Sequence, residues 1–143
     1  MAYAETASVF AEQVTHELLR KRLIEKGDTK SLLALTMGKI DDIINTTVRH
    51  ISFSCFEQQL HGRDAAYSKW SEPKKLSVEE LAAIWLSVTK EFYGPEGDVF
   101  TYENMDKLWA YIGHFHNPFY VYSYAFGQCL TDALYAVKDQ FGD

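Results

Sequence analysis

Apolar side chains recur along this chain at intervals of three and four residues, the period of helices that each bury one face. Residues 4 to 26 contain no Gly or Pro, and Val9, Phe10, Val14, Leu18, Leu19 and Leu23 hold that spacing, which predicts a first helix. Gly27 stops it and Asp28 can cap the next. The second pattern, 29 to 64, is unusually long. Its apolar residues, from Leu32 through Ile44 and Val48 to Cys55 and Phe56, fall on more than one face, which predicts a centrally buried helix with Gly38 as a weak point. A polar connection with Pro73 follows, and then "SVEE" at 77 to 80, a capping box in which Ser77 and Glu80 satisfy each other's backbone N–H groups. That helix should run to Tyr93 and end at "GPEGD". Thr101 is expected to open a shorter helix through Tyr111, and Asn117-Pro118 to start a last one that reaches Phe141. No alternating strand pattern and no internal repeat occurs, so the predicted fold is all-α, with about five helices.

Composition narrows the function classes. The 143 residues suit one domain or part of a larger one, and a hydrophobic content of 47% with 15% aromatics is enough for a packed core. The formal charge of −6 argues against a nucleic-acid or anionic-membrane surface, which needs clustered Lys and Arg. The short "RKR" run at 20 to 22 reads as a solvated helical turn near a C-terminus. No apolar run approaches the roughly 18 residues of a membrane span, and no signal peptide precedes the first charges, so a cytoplasmic location is expected. Cys55 and Cys129 are far apart and are read as two buried free thiols.

Two stretches could carry chemistry. On the first helix, Glu5, Glu12 and His16 fall within about 40° of one another at 100° per residue, with Ser8 beside them and Val9 and Leu19 at the edge. The stripe is either a solvated face or a partly buried groove whose carboxylates need a partner or a metal. "HELLR" at 16 to 20 is not the zinc-protease helix H-E-x-x-H, because Arg20 stands where the second histidine must be and stays protonated. A carboxylate-bridged di-metal bundle needs paired E-x-x-H, and Glu12 with His16 and Glu57 with His61 are each one residue too long. The other stretch is "HFHNPFYVYSY" at 114 to 124. His114 and His116 lie in a loop before Pro118; Tyr120 and Tyr124 share a face of the following helix, while Tyr122 points toward the core. A tyrosine hydroxyl, a neutral donor at pH 7, suits a developing oxyanion, but the same residues could simply be core.

Taken together, "AETASVFAE" at 4 to 12 and "HFHNPFYVYSYAFG" at 114 to 127 resemble, in order and separation, two segments of the oligoendopeptidase F family of zinc metallopeptidases, relatives of thimet oligopeptidase. "FEQQLH" at 56 to 61 and "LAAIWLSVTKEFYG" at 81 to 94 also resemble that family, so the likeness covers nearly the whole chain. The resemblance implies hydrolysis of internal bonds in short peptides, with one zinc ion per full-length enzyme and an oligopeptide as partner. It places the third zinc ligand at Glu5 and a supporting carboxylate near the ligand histidines at Glu12. His114 would contact substrate beside the scissile bond, with His116 as a further substrate-binding residue. Tyr124, or second Tyr120, would donate to the tetrahedral intermediate. Gly113 and His116 depart from the family's usual proline and tyrosine, which bears on loop conformation and substrate preference.

The two ligand histidines and the catalytic glutamate are expected upstream of Glu5, so residues 1–143 are read as the C-terminal part of a catalytic domain lacking the H-E-x-x-H helix and inactive alone. A chain so divided is expected to self-associate through the face bearing Glu5, Val9 and Leu19 and the aromatics near Tyr120. The rival reading is a non-catalytic helical module that binds peptides or a protein partner.

Overall fold

A computed structural model describes residues 3–140. Among the described residues there is no strand, only an isolated bridge between Arg63 and Trp70, and the all-α expectation holds. The α-helical segments are α1 (Thr6–Lys26), α2 (Thr29–Ile44), α3 (His50–Leu60), α4 (Val78–Tyr93) and α5 (Tyr122–Val137). Short 3₁₀ turns occur at Leu108–Tyr111, Gly113–His116 and Lys138–Gln140. The chain divides into two compact units, one made of the chain up to His50 together with Tyr122 onward, the other of Ile51–Val121.

Local signals set several boundaries where the sequence predicts them. Gly27 closes α1 in a left-handed conformation, its N–H bonded to the Ile24 carbonyl, and the Asp28 carboxylate accepts from the Ser31 N–H at 3.0 Å to start α2. The capping box forms in full: the Ser77 N–H donates to Glu80 at 2.7 Å and the Glu80 N–H to Ser77 at 3.2 Å. The resulting bonds hold the Asp28 carboxyl below its ordinary range, chiefly through the Ser31 backbone N–H.

Three expectations fail, each through a non-local contact or an irregular turn. The pattern over 29 to 64 is not one buried helix: α2 buries none of its residues, and a π turn at Asn45–Arg49 joins it to α3, which ends at Leu60. Residues 101 to 111 form no α-helix. There the Tyr102 N–H donates to the Glu96 carboxylate at 2.9 Å, and the Trp85 indole N–H donates to the Met105 carbonyl at 3.0 Å, so side chains occupy backbone groups a helix would use. The last helix starts at Tyr122, not Pro118, because Phe119 has φ +58° and gives its N–H to the Glu57 carboxylate at 2.7 Å. Phe141 lies outside the described residues.

Unit 2 is built on Phe53 and Phe56 of α3, Trp85 and Val88 of α4, and Val121, all buried, with Phe115 and Trp109 packed against them. The rings meet edge-on, Phe56 lying 5.2 Å from both Trp85 and Phe115. In unit 1, α5 packs on α1, with Gly127 and Thr131 against the Glu5–Thr6 backbone, and Ser123 and Gln128 of α5 are also buried. Val9, expected on an uncovered face, is buried. Cys55 is partly buried and Cys129 is exposed, which corrects the expectation of two buried thiols.

Candidate functional site

Glu5 sits at the N-terminal cap of α1, but its carboxylate caps no backbone N–H. It accepts instead from the Ser8 hydroxyl at 3.2 Å, and that hydroxyl also donates to the Glu5 carbonyl at 2.9 Å. The start of α1 comes close to α5 because residue 127 is glycine: a Cβ there would lie 3.2 Å from the Glu5 carbonyl carbon and 3.3 Å from the Thr6 nitrogen. One turn before Gly127 on α5 stands Tyr124. Its hydroxyl is pushed above the ordinary phenol range, first by burial and then by the negative charge of Glu5. Both effects keep the proton on the oxygen, so Tyr124 stays a hydrogen-bond donor.

Tyr124 also stacks on His50, with ring centroids 4.4 Å apart and an interplanar angle of 26°. His50 is buried, and its Nδ1 lies 3.2 Å from the Thr46 carbonyl, which can only accept, so this hydrogen bond requires the proton on Nδ1. The π turn at Asn45–Arg49 places His50 there. Such turns often occur at functional sites. Nothing in the residue pattern signals the extra helical residue, and sequence reasoning passed over His50.

The other candidates separate into groups. Glu12 is exposed; with His16 it lines an open cavity of about 590 Å³ between α1 and α2, along with Leu19, Leu35, Lys39 and Asp42. Neither His16 ring nitrogen makes a hydrogen bond; the nearest carboxylate, on Glu17, is 3.7 Å from Nδ1. Thus the stripe expected to unite Glu5, Glu12 and His16 is split, Glu5 facing α5 and the other two facing α2. In unit 2, Phe115 is held in the aromatic core while His114 is half-buried and His116 exposed, so the alternation "HFH" places a core anchor between two polar groups. Tyr120 is half-buried and precedes α5; its N–H closes a turn on the Asn117 carbonyl at 3.2 Å. It therefore shares no helical face with Tyr124. Tyr122, expected in the core, is 40% exposed.

Glu57 and His61, weighed as a metal pair, are otherwise engaged: Glu57 holds the Phe119 N–H, and the His61 ring lies 4.7 Å from that of Phe119. Among the described residues no three His, Cys, Asp or Glu side chains come together to hold a metal ion. A catalytic zinc needs about three protein ligands, so these residues do not form that site by themselves, and Glu5 can supply one carboxylate at most. Among them, too, no helix is long and apolar enough to cross a membrane.

Comparison with known proteins gives this arrangement its setting. The model of Peptidase family M3 matches residues 1–142, and the chain belongs to that family. It is 30% identical over 133 residues to an oligoendopeptidase F homolog of Borreliella burgdorferi, which covers 92% of this chain and 20% of that protein. It is 33% identical over 127 residues to the chromosomal oligoendopeptidase F of Lactococcus lactis subsp. cremoris, covering 87% of this chain and 19% of the relative. Oligopeptidase PepF of Bacillus subtilis is 30% identical over 131 residues, covering 92% and 18%. The chain thus spans about a fifth of the length of the curated relatives it matches. No solved structure matches it significantly.

Proposed function

We propose that this chain is the C-terminal part of the catalytic domain of a zinc-dependent oligoendopeptidase that hydrolyses internal bonds of short peptides. The observation that carries the reading is the close approach of the start of α1 at Glu5 to α5 at Gly127, one turn from Tyr124, which brings two separate family-like motifs together. In the full-length enzyme Glu5 would be one zinc ligand, the others lying outside this chain, and Glu12 would support them. Zinc in such enzymes supplies Lewis acidity toward the carbonyl and its water.

This chain's own residues would bind and stabilise. Tyr124, kept protonated by burial and by Glu5, donates to the oxygen on which negative charge develops. Tyr120 is the second choice for that role. His114 would contact the peptide beside the scissile bond, and His116, exposed on the same short turn, would bind substrate further out. A cytoplasmic location fits such an enzyme.

The test compares the 143-residue chain with the full-length protein that contains it. The full-length protein should bind one zinc by elemental analysis and cleave a quenched-fluorescence peptide, and a chelator should abolish cleavage. The 143 residues alone should retain no stoichiometric zinc after dialysis and cleave nothing. Chelator-sensitive cleavage by the short chain would overturn the division of the site; a full-length protein that binds peptide without cleaving it would favour the non-catalytic module.

A further inference from the structure

We propose that Glu57 is a positioning residue that fixes the turn at Phe119 and thereby the loop carrying His114, His116 and Tyr120. Phe119 adopts φ +58°, a left-handed conformation that a bulky side chain enters only when its surroundings enforce it. Two contacts from α3 and its end enforce it. The Phe119 N–H donates to Glu57 Oε1 at 2.7 Å across 62 residues of sequence, and the His61 ring, just past the end of α3, packs on the Phe119 ring at 4.7 Å.

Glu57 is an unusual residue to find there. It is 3% exposed, in a helix whose neighbours Phe53 and Phe56 form the aromatic core, and its Oε2 is buried without a hydrogen-bond partner. A buried carboxyl with one oxygen unpartnered is a poor choice for packing, because an apolar side chain of that size would fill the space without the desolvation cost. What the carboxyl does supply is a strong acceptor aimed at one backbone N–H. Burial raises its pKa, while the Phe119 N–H and His61 act in the opposite direction.

The consequence falls on the candidate site. From Ile112 to Tyr120 the backbone is a chain of tight turns, Phe115 N–H to Ile112, Asn117 N–H to His114 and Tyr120 N–H to Asn117, each at 3.2 Å. Phe115 anchors one end in the core and Glu57 anchors the other. His116 lies between these anchors, and His114 and Tyr120 are the residues immediately outside them, so the placement of all three depends on the anchors. This step rests on the reading of that loop as substrate-binding; the link between Glu57 and Phe119 does not.

The test uses the full-length protein with two readouts, amide hydrogen exchange at Phe119 and steady-state peptide cleavage. In Glu57→Leu, and in the milder Glu57→Asp, which cannot reach as far, Phe119 exchange should accelerate and kcat/KM fall, each by about tenfold, the order of one buried hydrogen bond lost. Zinc content should not change. Glu57→Gln keeps an acceptor oxygen and should stay close to wild type. Glycine takes positive φ without cost, so in a Phe119→Gly background the Glu57 substitutions should lose most of their kinetic effect. Unchanged exchange in both Glu57→Leu and Glu57→Asp, or an equal kinetic loss in the glycine background, would overturn the proposal. If the wild-type protein cleaves no peptide, the peptidase reading fails, and Phe119 exchange still decides the role of Glu57.

Discussion

Tyr124 and His50 stack face to face, 4.4 Å between ring centroids, and so tie the first turn of α5 to the end of the π turn that follows α2. The stack fixes the tyrosine ring from one side, and burial first, then the charge of Glu5, raise the energy of its ionised form. A phenol so held loses little freedom when it donates, which is what stabilisation of a developing charge requires.

If the chain acts within the proposed peptidase, Tyr124→Phe should keep the ring stack and remove only the donor. Losing one oxyanion donor typically lowers kcat by about 10²–10³, or roughly 3–4 kcal/mol, with little change in KM because the ground-state carbonyl barely uses the bond. Tyr122→Phe, on the exposed side of the same helix, is the control and should leave kcat unchanged. Steady-state kinetics of both variants decide the matter; equal and small effects would mean that the tyrosines only pack.

The helix ends closed by short-range chemistry were legible in the sequence: Gly27, Asp28 and the Ser77–Glu80 box each act within four residues. What was not legible depends on partners far along the chain. Asn117-Pro118 is a sound local helix start, yet Glu57, sixty-two residues away, captures the Phe119 N–H and delays the helix to Tyr122. That shift also took Tyr120 off the face it was expected to share with Tyr124 and turned Tyr122 outward. His50, stacked on Tyr124, was not legible either, because its position follows from one π turn that the residue pattern does not announce.

The exposed apolar seam lies on α2 and not on the face of Glu5, Val9 and Leu19 expected from the sequence, where Val9 is buried. Leu33, Met37, Ile40 and Ile44 of α2 are 64%, 51%, 44% and 49% exposed, and their four-three-four spacing is that of a coiled-coil seam. They lie on the side of α2 away from Ala34, Gly38 and Asp42, which face α1. The 143-residue chain should associate through this seam. Sedimentation should show a dimer or larger species, and Met37→Lys with Ile40→Lys should convert it to monomer with no loss of helicity. Association that survives the double substitution would place the contact elsewhere.

The two thiols should differ in reactivity. Cys129 is exposed on α5, whereas Cys55 is partly buried and its thiol is pushed up, mainly by burial, with a hydrogen bond involving Tyr67 acting against this. Because the thiolate is the attacking form, Cys55 should react slowly with a disulfide reagent at neutral pH and Cys129 quickly. Cys129→Ser should remove the fast phase alone; loss of the slow phase instead would contradict the assigned exposures.

Gly127 tests whether the approach of α1 to α5 matters for function rather than for stability. An added Cβ would meet the Glu5 and Thr6 backbone at 3.2 and 3.3 Å, tighter than ordinary contact, so the start of α1 must give by a few tenths of an ångström. Alanine inside a helix gains about 1 kcal/mol over glycine, which offsets the cost of that shift. Gly127→Ala should thus change the unfolding free energy by less than about 1 kcal/mol. Glu5 would nonetheless move relative to Tyr124, and small misplacements of a reacting group are costly: about 10²-fold for one ångström, so about tenfold here. If the chain acts within the proposed zinc peptidase, the expected outcome is a kcat reduced about tenfold and a weakened hold on zinc, at nearly unchanged melting temperature. Full activity in Gly127→Ala would show that the position of Glu5 against α5 is a packing detail and not part of the site.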